Sequence, residues 1–312
     1  MADSTTTSGY APQYASYAIF CTRYSLVTPP STYHIPTTAS DAVSVMTAFI
    51  SHEAGRGLSA SSIGSAMWAL AHLWKTSPPL FTDLSAGHPR VRSSLSSLKA
   101  ACLTPATHTL ALPPSTLHHI HRVDPAEPVA ALALMLGFGF FLRVSEYTTC
   151  DKTGTRLLVQ HLTPTPTTLR INIFKSKTST VPSHHERRAS PGAPNCLLTL
   201  YNTYASTRTN NSPFAPALQF RDGSPVTDAH VKAWVFKLLT LSALATTGHG
   251  THSLRAGGAV AALAHAKGDS YLMREGRWRS MASLRLYTRC LPEPGTRTTI
   301  TALCPGLFAQ AE

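Results

Sequence analysis

Within residues 59–76, SASSIGSAMWALAHLWKT, the apolar positions Ile63, Met67, Leu70 and Trp74 recur at i, i+4, i+7 and i+11. That spacing lays one apolar stripe along an amphipathic helix, and Pro78-Pro79 stops it. A Met/Trp stripe of this kind reads as core rather than as a ligand box. Residues 10–26 and 37–57 have the same helical pattern, the second ended by Gly55 and Gly57, and residues 88–103 form a fourth, shorter helix.

The pattern then changes. Residues 103–128 hold Pro105, Pro113, Pro114, Pro125 and Pro128, a linker-like composition with room for at most one short helix, so a domain boundary is expected near 105–112. Residues 127–149, EPVAALALMLGFGFFLRVSEYTT, form an apolar run too long for an ordinary strand and too short to span a membrane. Residues 154–180 contain two β-like runs separated by a Thr-Pro turn, a hairpin or small sheet. Further helices are expected at 194–207 and after Thr227 or Asp228, which supplies the cap. The fold class is therefore mainly α: a small all-helical domain, a Pro-rich linker, and a larger mostly helical domain with one small antiparallel sheet.

Composition adds a partner. The chain of 312 residues has a formal net charge of +12 and a pI near 9.7, a surplus that faces polyanions such as nucleic acid. Residues 1–103 carry six Lys/Arg against four Asp/Glu, and residues 104–312 carry 21 against 11, which assigns most of the phosphate-facing surface to the second part. Six scattered cysteines, with no C-x-x-C pair, read as reduced intracellular thiols. No apolar run is long enough for a membrane span, and the start MADSTTTSGY has neither the basic nor the apolar region of a signal peptide, so no membrane partner is expected.

Candidate chemistry concentrates in residues 250–289, where His252, Arg255, Trp278 and Tyr287 stand in a bland background. A phenol of ordinary pKa about 10 attacks a phosphodiester only if its proton is drawn off and charge on the non-bridging oxygens is stabilised. Guanidinium groups suit that task, because they stay charged and donate two parallel hydrogen bonds. Arg255 supplies one, and Arg143 in FFLRVSEYT is the best second, with Glu146 three residues on placed to orient it. A lysine can protonate the leaving 5′-oxygen; Lys175 and Lys177 in INIFKSKTST share one strand face, so periodicity does not choose between them. His252 can act as base or as donor to a phosphate oxygen, and the Trp278 indole can only donate. Arg90, Arg92 and Lys99 on the fourth helix, with Arg277 and Arg279 beside Trp278, are candidate DNA contacts.

Taken in order, R-V-S-E at 143–146, S-K-T at 176–178, H-S-L-R-A-G at 252–257, G-R-W at 276–278 and Tyr287 resemble the tyrosine recombinases, or phage-integrase-type recombinases. The resemblance spans nearly the whole chain. It implies a helical, SAM-like core-binding domain at 1–104, a linker at 105–112 and a catalytic domain at 113–312, closing on duplex DNA from opposite sides. It also implies that Arg143, Lys177, His252, Arg255 and Trp278 activate the phosphate, with Glu146 and Lys175 in support, and that Tyr287 is the nucleophile. Lys177 is preferred for its S-K-T context, and Trp278 stands where many members have a second histidine. The implied reaction needs no cofactor, neither metal nor ATP, and passes through a 3′-phosphotyrosyl bond in a homo-oligomer, a tetramer on two DNA sites. GFGFFLRVSEY is similar to the recombinases of eukaryotic mobile elements of the Crypton or DIRS type, which implies a nuclear protein; for a bacterial host the expectation is cytoplasm and nucleoid.

Competing readings are weaker. SHHE at 183–186, or His249 with His252, offers histidines for zinc, but no Cys or His pair recurs at zinc-ligand spacing, and these histidines read as loop residues. No G-x-S-x-G elbow supports a hydrolase. The remaining rivals share the fold: a catalytically silent DNA-binding protein, and a type IB topoisomerase-like relaxing enzyme. After Tyr287, Pro292, Pro294 and Pro305 predict a short or absent C-terminal helix.

Overall fold

A computed structural model of the chain describes residues 10–27, 31, 33–36, 38–75, 88–101, 109–150, 154–155, 157–174, 181–288, 292 and 294–308. The chain divides into two compact units, Met1–Ala106 and Thr107–Glu312.

The first unit consists of α1 (Ala11–Arg23), α2 (Ala39–Gly55), α3 (Ala60–Lys75) and α4 (Pro89–Ala101). The stripe Ile63, Met67, Leu70 and Trp74 is buried, as a helix of that periodicity requires, against Tyr17, Phe20, Met46 and Phe49. Thr38 caps α2 by accepting from the Asp41 N–H at 3.1 Å. Glu53 is buried, and Arg56 Nη1 donates to its carboxylate at 2.9 Å. Arg90 and Arg92 on α4 are exposed; the Lys99 side chain, like the Pro78-Pro79 stop, lies outside the described residues.

The second unit is built around α5 (Val129–Gly139), every residue of which is buried. A helix apolar on all sides needs neighbours on all sides, and α5 has them: α7 (Leu197–Ala205), α8 (Asp228–Leu241), α9 (His252–Ala264) and a 3₁₀ helix, Pro114–Arg122, pack around it. Leu110 and Leu112, in the segment expected as linker, donate backbone N–H groups to the carbonyls of Gly248 and Ser253 and so are bound to this unit. Gly258 on α9 lies so close to α5 that a Cβ there would collide with the Phe138 carbonyl oxygen. Gly258→Ala should therefore destabilise the second unit by roughly 1–3 kcal/mol, read as a lower thermal midpoint in calorimetry.

The apolar run does not continue as one helix through Arg143, as the sequence predicted. Phe141 has φ 51°, in the left-handed region, and the Leu142 N–H bonds back to the Gly137 carbonyl, which ends α5. Arg143 then stands in extended conformation as the N-cap of the four-residue α6 (Val144–Tyr147). A two-stranded ladder, β1 (Thr149–Cys150) and β2 (Gly154–Thr155), precedes an antiparallel sheet of β3 (Leu162–Pro164), β4 (Thr168–Ile173) and β5 (Ser183–Arg188), in the order β3-β4-β5. SHHERR is thus a strand, not a loop: its side chains alternate, with His185 and Arg187 buried between exposed neighbours.

After α10 (Asp269–Gly276) and α11 (Met281–Thr288) comes α12 (Thr296–Leu303), a helix of 8 residues despite the flanking prolines. It buries Ile300 and Leu303 in the core of its own unit, followed by Leu307 and Phe308. Of Thr227 and Asp228, Thr227 is the N-cap of α8 and Asp228 its first residue; the Thr227 N–H bonds to His230 Nδ1 at 3.1 Å.

Candidate active site

Four elements bring the sequence-selected residues together. Arg143 sits at the α6 N-cap, Arg255 one turn into α9, Trp278 just after α10, and Tyr287 near the end of α11. Arg255 is fully buried, its Nη1 donating to the Phe141 carbonyl and its Nη2 to the Gly276 carbonyl. The Trp278 ring lies 4.2 Å from the Arg255 guanidinium carbon and the Tyr287 ring 5.3 Å from it, and the two rings are 5.2 Å apart. The three groups form a triangle, and the guanidinium is held by the ring quadrupoles as well as by its hydrogen bonds. Gly276 makes this packing possible, since a Cβ there would fall within the Trp278 ring.

Burial pushes the Arg255 guanidinium down to about 9, with Arg143 and Arg277 adding like-charge repulsion. It therefore stays protonated at neutral pH. The Arg255 Nε, the Arg277 Nε and the Trp278 Nε1 are buried with no hydrogen-bond partner among the described residues, so three donors at the site have capacity for a further acceptor. Tyr287 is half-buried, and His252, the first residue of α9, is exposed at the mouth of the helix that carries Arg255.

Glu146 does more than orient Arg143. Its Oε1 accepts from Arg143 Nη1 at 3.0 Å, and its Oε2 accepts from the Arg143 N–H at 2.8 Å and from Arg277 Nη2 at 2.7 Å. Burial opposes its ionisation, but Arg277 and Arg255, then Arg143, outweigh that and hold the carboxyl below its ordinary range. Arg277, expected to face DNA, instead turns inward, because its left-handed backbone at the C-cap of α10 directs the side chain toward Glu146; the side chain is 8% exposed. Arg279 is exposed. Lys175 and Lys177 lie outside the described residues.

Sequence reasoning missed a second cluster behind the site. Glu275 lies 2.9 Å from Arg187 Nη1 and 3.2 Å from His185 Nδ1, both on β5. Strand alternation would have paired His185 with Arg187, but polar residues on both faces hide a buried one. His184 points the other way, to Asn172 at 2.7 Å, so the two histidines of SHHE do not converge on a metal. No cluster of three or more His, Cys, Asp or Glu side chains able to hold a metal occurs among the described residues.

Burial opposes the ionisation of Glu275, but His185 and Arg187 outweigh it and bring the carboxyl down from 4.5 to about 2. Because the folded value lies below the unfolded one, this stabilisation is present above pH 4.5 and is lost as pH falls toward 2. Glu275→Gln should remove that dependence, giving a flatter stability profile across this window in urea titrations at stepped pH.

No protein-family model and no curated protein matches the sequence. Solved structures do match by fold. The XerH site-specific recombinase bound to difH substrate superposes with a TM-score of 0.57 at 15% identity, over 89% of this chain and 74% of that one. The Tn1549 transposon integrase in complex with transposon right end DNA gives 0.53 at 13% identity, over 93% and 99% of the two chains. A lambda integrase dimer bound to a core site gives 0.56 at 12%, over 88% and 86%. The fold is that of the tyrosine recombinases. At these identities the likeness concerns architecture, and the chemistry rests on the side chains described above.

Proposed function

We propose that this chain is a tyrosine recombinase, a site-specific DNA strand-breaking and rejoining enzyme of a mobile element. The observation that carries the reading is the convergence of Arg143, Arg255, Trp278 and Tyr287 from four separate elements onto one buried cationic centre. A +12 chain and a fold shared with recombinases and integrases that bind DNA give the centre a substrate.

In this mechanism the Tyr287 oxygen attacks the scissile phosphorus and loses its proton, with His252 in the role of base. The P–O5′ bond breaks, leaving a 3′-phosphotyrosyl link, and Lys177 or its neighbour Lys175 protonates the departing 5′-oxygen. Arg143, Arg255 and the Trp278 indole stabilise the charge that builds on the non-bridging oxygens. A 5′-hydroxyl from the other duplex then reverses the steps, so no metal or ATP is required. The rings of Trp278 and Tyr287 cover Arg255 in the structure, so its contact with a phosphate requires these rings to shift.

The wider reading follows the same resemblance. Arg90, Arg92, Lys99 and Arg279 contact phosphates, and the working form is a homo-oligomer, a tetramer on two sites. GFGFFLRVSEY supports a Crypton- or DIRS-type element and hence a nuclear protein.

The test is covalent capture. Purified protein is incubated in EDTA with a pool of nicked random duplexes and denatured, and attached DNA is sequenced. Attachment through the protein identifies the chemistry and the preferred site together. No attachment, with salt-sensitive binding intact, would instead support a silent DNA-binding protein of the same fold.

A further inference from the structure

We propose that Arg277 is a positioning residue that fixes Arg143 and Arg255 at the spacing the phosphate requires, bracing them from behind through Glu146 and the Phe141 carbonyl. The inference rests on the recombinase reading above.

Arg277 is built into the site on both sides. Its Nη2 donates to Glu146 Oε2 at 2.7 Å and to the Phe141 carbonyl at 3.3 Å. Glu146 is the carboxylate that holds Arg143, and the Phe141 carbonyl also accepts from Arg255 Nη1. One carboxylate and one carbonyl thus join three guanidinium groups in a row, with Arg277 in the middle. On its outer side, Arg277 Nη1 donates to the Glu275 carbonyl at 3.0 Å and lies 3.4 Å from His185 Nε2. That contact fastens the centre to β5 of the sheet.

Backbone strain gives an independent indication. Arg277 has φ 56° and ψ 37°, a left-handed conformation that is unfavourable for a side-chain-bearing residue and that glycine adopts freely. An arginine kept there gives up that freedom for a side chain that turns inward. Phe141, which supplies the shared carbonyl, is also left-handed at φ 51°. Two strained turns are therefore joined by the bond from the Arg277 guanidinium to the Phe141 carbonyl.

Charge explains why a third arginine is needed. Arg143 and Arg255 repel each other, and a single carboxylate, Glu146, serves both them and Arg277. Three cations against one anion leave a surplus of two positive charges. The phosphorane formed when Tyr287 adds to a diester carries two negative charges, one more than the ground state, so the surplus matches the transition state better than the bound substrate. Arg277 acts through this arrangement and not by touching DNA.

The test uses full-length protein and a nicked duplex carrying the site recovered by capture, with either the natural diester or a methylphosphonate at the scissile position. The methylphosphonate replaces one charged non-bridging oxygen with methyl, so its phosphorane carries one negative charge and depends less on the arginine pair. Arg277→Gln should slow capture at saturating natural DNA by about 100-fold, the scale of a small misplacement of catalytic groups. Its affinity for DNA should stay within about threefold, since phosphate contacts elsewhere set binding. On the methylphosphonate the deficit should shrink to about tenfold or less, since less charge needs the positioned pair. Arg277→Lys, which keeps the charge but not the fork, serves if the glutamine variant does not fold, and should show the same narrowing to a smaller degree. Equal deficits on both substrates would mark a merely structural role and overturn the proposal, as would an unchanged rate on natural DNA. If the wild type captures neither substrate, the recombinase reading itself fails and the inference falls with it.

Discussion

Tyr287→Phe should bind duplex DNA like the wild type and form no covalent complex with it. The phenylalanine ring retains the tilted contact of Tyr287 with Trp278 at 5.2 Å and its approach to Arg255 at 5.3 Å, so the packing of the site survives. What disappears is the oxygen that attacks phosphorus, and no rate can remain on a path that needs it. DNA affinity is a sum over many phosphate contacts on a basic surface, so losing one hydroxyl should change it by about twofold or less. Denaturing gels measure the covalent product, and fluorescence anisotropy at several salt concentrations measures binding. Capture by the phenylalanine variant would mean that the nucleophile lies elsewhere.

Arg255→Lys should fold and bind DNA but capture it about 10²- to 10³-fold more slowly at saturating substrate, the scale of removing one preorganised donor to a developing oxyanion. Arg255 uses two ends of a planar fork to hold the Phe141 and Gly276 carbonyls, and its face to stack on Trp278. Lysine has a point charge in place of the fork and cannot reproduce both bonds from one geometry. The Phe141 carbonyl keeps its bond from Arg277, but a lysine that does not reach the buried Gly276 carbonyl leaves it unpaired, which costs about 1–3 kcal/mol of stability as well. Single-turnover rates taken well below the thermal midpoint separate the two effects. A rate within about threefold of wild type would remove Arg255 from the transition state.

Where local pattern decides structure, the sequence was informative. The stripe Ile63, Met67, Leu70 and Trp74 marks the buried face of α3 because its period matches the helix, and Thr227 marks the start of α8 because a cap is a local bond. Arg143 and Glu146 could be paired from their spacing alone. The break at Phe141 could not be foreseen: nothing local interrupts the apolar run there, and the left-handed turn is set by packing around α5. Strand β5 was hidden for a different reason. Its buried residues are His185 and Arg187, whose burial is compensated by Glu275 from a distant helix, so no hydrophobic alternation announces them. Arg277 was misread for a related reason, because its orientation follows from one backbone angle and one distant carboxylate.

The placement of α12 bears on how the protein is made. Its core contacts include the 3₁₀ helix Pro114–Arg122, almost the whole length of the second unit away in sequence. Asn195 bridges them, donating from Nδ2 to the Leu117 carbonyl and accepting the Cys304 thiol on its own carbonyl. The first unit, four consecutive helices packed among themselves, can fold as soon as its residues leave the ribosome. The second exposes an open seam beside α5 until the chain through Phe308 has emerged, so its window for misfolding lasts nearly as long as its synthesis.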